Sequence, residues 1–343
     1  MRTLIRSLLE DAGVEVIDEA RDGVEAIETV DERRPDVVTM DIEMPRKNGI
    51  EAVEGIMETC PTPVLMLSAH ADEDAEVTFE ALEKGAVDFV KKPGGEITSN
   101  MSKVSRELTE KVESAAAADV TVTAANPRTS AVAATSGASA GGPSAPRRTY
   151  PEGATVIVGA STGGPNVVEG FLSALPPAAN LRVLVIQHMP EGFTRRFAER
   201  LDRRSGYEVK EARDGERVGP GDVRVAPGGS HLLVSDDRGG RLRVELSDAD
   251  PIHGVKPAID PTMISAADSV RRPLAGVLLT GMGRDGVDGM RRIERAGGRT
   301  IAQDEETSAI FGMPRRAIEA GCVETVLPAG DVAEGVLEAI AGE

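Results

Sequence analysis

Residues 154–165 read "ATVIVGASTGGP". A run of Val and Ile ends in a loop of small residues, which is the signature of a strand passing into a tight turn. Such a loop serves two chemistries. It can cradle a phosphate with bare backbone N–H groups, or it can hold up a serine as a nucleophile. A Walker loop needs G-x-x-x-x-G-K-[ST], and "GASTGGP" carries no lysine. A dinucleotide turn needs G-x-G-x-x-G, and its third position here is Ser161. The stretch does match G-x-S-x-G, through Gly159, Ala160, Ser161, Thr162 and Gly163. That pattern marks a strand-to-helix elbow. Alone it is weak, because short loops of small residues are common, and both readings stay open at this point.

A nucleophilic serine needs a base, and the base needs a group to orient it. The chain has four histidines. His70 lies far upstream, and His231 and His253 fall in an irregular stretch, roughly 207–260, rich in turns and short apolar runs. His188 follows "LRVLVIQ", the strand expected next after the serine's own. The bland reading of His188 is a packed histidine at a strand end. Asp285 follows "AGVLLTGMGR", another expected strand end with glycines around it. Other acids are abundant, so its position alone singles it out. The order Ser, His, Asp differs from the Ser, Asp, His order of α/β-hydrolases.

The chain has 343 residues, enough for two domains. Its net charge is −18, which disfavours nucleic acid and anionic membrane as partners. Residues 1–113 carry 13 Lys/Arg against 27 Asp/Glu, so most of the excess lies there. Arginines number 31 and lysines 8, and aromatics are 2 % with no Trp. This acidic, lysine-poor, aromatic-poor balance predicts a chain suited to a high-salt cytosol. Cys60 and Cys322 are far apart with no CxxC spacing, which fits free thiols and excludes a disulfide framework or zinc site. With no apolar run near 18 residues and no signal peptide, the chain reads as soluble and cytoplasmic, without membrane insertion.

Residues 114–149 change character to Ala, Ser, Thr, Gly and Pro, with almost no large apolar side chain. Such a segment cannot offset its ordering entropy by burial, so it is expected to be a flexible tether. An alanine-rich helix is the alternative for its first few residues. Before it, "VEVIDE", "DVVTMD", "PVLMLS" and "AVDFVK" read as strands and 23–33, 49–59 and 73–84 as helices, a doubly wound α/β pattern. Three chemistry-bearing residues stand at successive strand ends: Asp41, Ser68 and Lys92. An acid, a hydroxyl and an amine on that edge can hold a phosphate among them.

"PDVVTMDIEMPRKNG", with the later Ser68 and "KKP", resembles the receiver domain of two-component response regulators, a flavodoxin-like fold. The resemblance implies that Asp41 accepts the phosphoryl group, that Ser68 and Lys92 contact it, and that Phe89 is the aromatic switch. It also implies Mg²⁺, with Asp41 as one ligand. One departure puts the metal in doubt. Receivers begin with a strand ending in an acidic pair, whereas this sequence begins "MRTLIRSLLEDAG", which reads as the helix after that strand. Either the recorded start is an internal methionine of a longer protein or the receiver is degraded. The surviving acid, hydroxyl and lysine favour the former.

Further on, "VIVGASTGGP", "VIQHMPEGFTRRFAERL", "VAPGGSHLLV", "GVLLTGMGRDGVDGM" and "IAQDEETSAIFGMPRRAIEAG" resemble the catalytic domain of the CheB family of chemotaxis response regulators. These motifs span nearly all of 150–343. The resemblance implies a receiver at 1–113, a tether at 114–149, and a doubly wound, Rossmann-like parallel-sheet methylesterase domain at 150–343. It implies a Ser161–His188–Asp285 triad, with backbone donors near Thr162 and Met282 for the oxyanion and no cofactor for catalysis. The implied activity is hydrolysis of glutamate methyl esters, and deamidation of particular glutamines, on chemoreceptors. The implied phosphodonor is the histidine kinase CheA. Two other functions fit the residues: a receiver-controlled esterase or amidase for small molecules, and a non-enzymatic adaptor binding receptor helices.

Overall fold

A computed structural model describes residues 1–68, 75–92, 101–120, 150–151, 153–271 and 273–341. In the first half the described elements are α1 (Arg2–Asp11), α2 (Gly23–Arg33), β1 (Val38–Asp41), α3 (Gly49–Thr59), β2 (Val64–Ser68), α4 (Ala75–Glu83), β3 (Asp88–Lys91) and α5 (Met101–Ala116). The helices start where their sequence says they should. Asp22 caps α2 by accepting from the Val24 and Glu25 N–H groups. Asn48 and Glu51 form a reciprocal capping box on α3.

β1, β2 and β3 make a parallel sheet in that order. Leu65, Leu67 and Val90 pack on one face against Leu108, Val112 and Ala115 of α5 and Ile5, Leu8 and Leu9 of α1. Met40, Met66 and Phe89 pack on the other against α3 and α4. The expected strand "VEVIDE" does not form, and residues 14–20 are irregular. Among the described residues no strand lies beside it to pair with. Without a partner for its N–H and C=O groups an extended segment gains no ladder. A second difference concerns the tether: α5 runs to Ala116, and Ser114 and Ala115 are buried. Alanine's helix propensity and a buried face extend the helix into the low-complexity composition. Residues 121–149 of the expected tether, and residues 73–74 of the expected helix 73–84, lie outside the described residues.

The second half begins with β4 (Thr155–Ala160), α6 (Gly164–Ala174), β5 (Arg182–Gln187), α7 (Phe193–Arg204) and β6 (Glu208–Glu211). It continues through β7 (Arg217–Val218), β8 (Asp222–Val225), β9 (His231–Arg238) and β10 (Arg241–Ser247). It ends with α8 (Ile259–Ser269), β11 (Leu274–Leu278), α9 (Val287–Arg295), β12 (Arg299–Gln303), α10 (Met313–Glu319), β13 (Thr325–Leu327) and α11 (Val332–Ala341). Seven parallel strands form one sheet in the order β13-β12-β11-β4-β5-β8-β6. β4 and β5 are buried along their whole length, which is why they read as unbroken apolar runs. β7, β10 and β9 form a separate antiparallel sheet in the turn-rich stretch.

The strand order fixes where chemistry can sit. From β4 the chain winds one way to β5, and later strands wind the other way through β11. The crevice at the carboxyl ends of β11, β4 and β5 is therefore a topological switch point, the usual ligand site of an open α/β sheet.

Candidate active site and phosphoacceptor site

Ser161 is the first residue after β4, and His188 the first after β5. Ala160 pairs with Gln187 across the sheet, so the two functional residues emerge side by side. The His188 N–H donates to Ala160 O at 3.0 Å, and the Ser161 N–H to Thr280 O at 3.0 Å. Gln187 Nε2 donates to both Ser161 O (2.8 Å) and His188 O (3.3 Å), tying the two backbones together. Gly163 turns the chain into α6 at φ +75°, a conformation that strains any side chain. Gly281 lies so close that a Cβ there would stand 2.6 Å from Ser161 Cβ.

Asp285 follows β11 and is buried. Its Oδ2 meets His188 Nε2 at 2.8 Å. Its remaining capacity is filled by backbone N–H groups, Ile259 to Oδ2 at 2.7 Å and Asp260 and Gly286 to Oδ1 at 3.0 and 2.9 Å. Two of these belong to the first turn of α8, where the helix dipole favours a negative charge. Burial pushes the Asp285 carboxyl up. The bond and charge of His188 and the Ile259 and Asp260 N–H groups outweigh it, so the group stays below the ordinary carboxylate range. The sequence-predicted serine, histidine and aspartate are thus gathered at the switch point. Thr162 is buried and Met282 exposed. Among the described residues neither of their N–H groups has a backbone acceptor.

Sequence reasoning missed Asp260, which is buried in the first turn of α8. Its Oδ1 accepts from the Gly289 N–H at 2.7 Å and its Oδ2 meets His253 Nε2 at 3.0 Å. Burial and the neighbouring Asp285 charge raise its carboxyl above the usual range, against Gly289 and His253. A carboxylate on an apolar helix face, "AIDPTM", was the available signal.

On the other sheet, Lys92 Nζ lies 2.6 Å from Asp41 Oδ1. Ser68 Oγ is fully buried and, among the described residues, has no hydrogen-bond partner. The Lys92 N–H donates to Ser68 O at 2.7 Å, and Asp41 pairs in register with Leu67 of β2. The acid, hydroxyl and amine therefore share one strand edge, with an unused hydroxyl that an incoming oxygen could engage. Mg²⁺ asks for near-octahedral oxygen ligands. Asp41 is the single acid of the expected set in this sequence, and its carboxylate is neutralised by Lys92. Among the described residues the one grouping of three metal-capable side chains is His253, Asp260 and Asp285, not the Asp41 edge. Among the described residues Asp41 does not by itself make up such a ligand set.

Phe89 is buried and contacts Phe193 of α7, ring centroids 4.4 Å apart. Phe79 of α4 stacks on Phe197 at 5.7 Å. Arg200 bridges Glu83 (2.5 Å) and Glu169 (2.6 Å), and Asn166 Nδ2 donates to Leu82 O at 2.9 Å. The Gly163 N–H donates to Val87 O at 3.2 Å. Asp88 Oδ2 accepts from Thr162 Oγ1 at 2.8 Å and from Lys111 Nζ at 2.6 Å. The face of the first half that carries Phe89 is thus docked on the serine loop.

Fold and sites define a response-regulator receiver joined to a doubly wound α/β domain that gathers a serine, a histidine and an aspartate at its switch point. Residues 156–336 match the CheB methylesterase family, and residues 1–100 the response regulator receiver domain. The chain is 54 % identical to the protein-glutamate methylesterase/protein-glutamine glutaminase of Haloarcula marismortui, over 100 % of this chain and 95 % of that one. It is 52 % identical to the protein of the same name from Natronomonas pharaonis, over 100 % and 96 %. The crystal structure of the Thermotoga maritima CheB methylesterase catalytic domain covers 55 % of this chain and 98 % of its own at 42 % identity, with a TM-score of 0.52. The chain belongs to the CheB methylesterase family.

Proposed function

We propose that Ser161, His188 and Asp285 carry out the family's reaction, hydrolysis of glutamate γ-methyl esters and deamidation of glutamines on chemoreceptors. The observation that supports this most is the 2.8 Å His188–Asp285 bond beside the end of Ser161's strand. That bond occupies Nε2, which leaves Nδ1 as the ring nitrogen to take the serine's proton. Ser161 Oγ attacks the γ-carbonyl carbon as its proton passes to Nδ1. The N–H groups of Thr162 and Met282 stabilise the oxyanion. The tetrahedral adduct expels methanol, or ammonia from glutamine, with the proton returned from His188 to the leaving group. Water, deprotonated by His188, then cleaves the acyl-serine. Asp285 holds the imidazole tautomer and stabilises the imidazolium.

The receiver, 1–113 with α5 extending it to Ala116, is the regulatory half, and the tether through 149 keeps it close to the catalytic domain, 150–343. Docked as it is on Thr162 and Gly163, it holds the serine loop shut. Phosphorylation of Asp41 by a histidine kinase, of the CheA type, draws Lys92 and Ser68 onto the phosphoryl oxygens and shifts β3, loosening Asp88 and Phe89. Receiver domains as a class use Mg²⁺ for this phosphorylation. No described helix is long and apolar enough to cross a membrane. A cytoplasmic site fits a substrate on the cytoplasmic helices of receptors. The test is methanol release from methylated receptor by wild type and Ser161→Ala. Turnover confined to wild type supports the assignment, and equal turnover removes Ser161 from it.

A further inference from the structure

The catalytic acid is not the only carboxylate in its corner. Asp260 and Asp285 exchange no hydrogen bond between side chains, yet each is built into the other's surroundings. The Asp260 backbone N–H donates to Asp285 Oδ1 at 3.0 Å, and the Asp260 carboxylate is anchored to the Gly289 N–H at 2.7 Å. This anchor ties the first turn of α8 to α9. The turn it fixes is the one that aims the Ile259 and Asp260 N–H groups at the catalytic acid. A carboxylate 4 % exposed is expensive to bury, and a neutral side chain would also accept from the Gly289 N–H and from His253 Nε2.

We propose that Asp260 is a positioning residue for the triad, holding Asp285 through the α8 turn and, by its negative charge, strengthening His188 as a base. The proposal rests on the triad reading above. The groups facing Asp260 are few. His253 donates Nε2–H to its Oδ2 from the loop before α8, Asp285 lies opposite, and His188 stands just beyond Asp285. From α9, Asp288 contributes a further negative charge, but it is paired with Arg291 at 2.9 Å and Arg284 at 3.6 Å. Burial and the Asp285 charge raise the Asp260 carboxyl against its two donors, so above that raised value it is an anion added to the one that already faces the imidazole. An anion favours imidazolium over imidazole. Without it His188 gives up its proton more readily and is a weaker base for Ser161.

The test is the pH dependence of kcat/KM for methanol release by the full chain, in wild type and Asp260→Asn. Asn keeps the shape and can still accept from Gly289. The expected result is an acid limb moved to lower pH by about half a unit or more, with kcat reduced. An unmoved acid limb overturns the proposal whatever happens to kcat or Tm, because a purely structural anchor does not shift it. Ser161→Ala and His188→Gln are measured alongside. If they retain turnover, the triad reading fails. If they are inactive and the limb is unmoved, only the role of Asp260 fails. Should Asp260→Asn not fold, wild type decides by NMR. The His188 imidazole resonance, identified by its loss in His188→Gln, must show a second inflection where the Asp260 carboxyl titrates. A single inflection overturns the proposal.

Discussion

Thr162 Oγ1 donates a 2.8 Å hydrogen bond to Asp88 Oδ2, joining the residue after the proposed nucleophile to the residue before the proposed aromatic switch. Lys111 Nζ lies 2.6 Å from the same oxygen and holds Asp88 in place. A hydrogen bond to a charged group contributes about 1.5–3 kcal/mol. Asp88→Ala is therefore expected to raise the basal methanol release of unphosphorylated protein roughly tenfold. A basal rate equal to wild type, with an unchanged Tm, would show that this contact does not hold the loop shut.

Gly281 packs against the back of Ser161, the proposed nucleophile. A methyl group there would sit 2.4 Å from Met313 Cε and 2.6 Å from Ser161 Cβ, so Ser161 has to move. Displacing a reacting group by about 1 Å costs on the order of a hundredfold in rate. Gly281→Ala should lower kcat by roughly that factor while KM changes little. Wild-type kcat in a folded variant would contradict the packing described.

Asp285 lies below the ordinary carboxylate range in the folded protein. The unfolded chain then binds its proton at higher pH than the folded one. The resulting stability is present above the unfolded value, about 3.9, and is lost as pH falls through the folded value. Asp285→Asn should remove that part of the acid dependence and lower kcat by up to about four orders of magnitude by favouring the wrong imidazole tautomer. Urea titrations between pH 3 and 7 read the first effect, and methanol release the second. An acid dependence of stability identical to wild type would count against the ionised, histidine-bonded Asp285.

The surplus of acids, −18 over the chain, repels itself at low ionic strength. Salt screens that repulsion over a few ångströms. Tm is expected to rise with KCl from the millimolar to the molar range. A flat or falling curve would contradict the high-salt reading of the composition.

Much of this was legible in the sequence, for physical reasons. A strand buried on both faces must be an apolar run, so "TVIVGA" and "LRVLVIQ" gave β4 and β5, and their ends gave Ser161 and His188. The helices 23–33 and 49–59 carry their own capping residues. "VEVIDE" misled because its periodicity is local while a ladder needs a neighbour. The Asp88–Thr162 bond was invisible because 74 residues separate the partners and only the docking of the two halves brings them together. Asp260 hid for the same reason, since only the fold places it beside Asp285.

The central claim is that Ser161 hydrolyses the receptor ester. Its most direct measurement is methanol released from methylated receptor cytoplasmic fragments by the full chain, wild type against Ser161→Ala, with Tm recorded for both. Turnover is expected in wild type and none above background in Ser161→Ala at an unchanged Tm. Equal methanol release by the two proteins would contradict it.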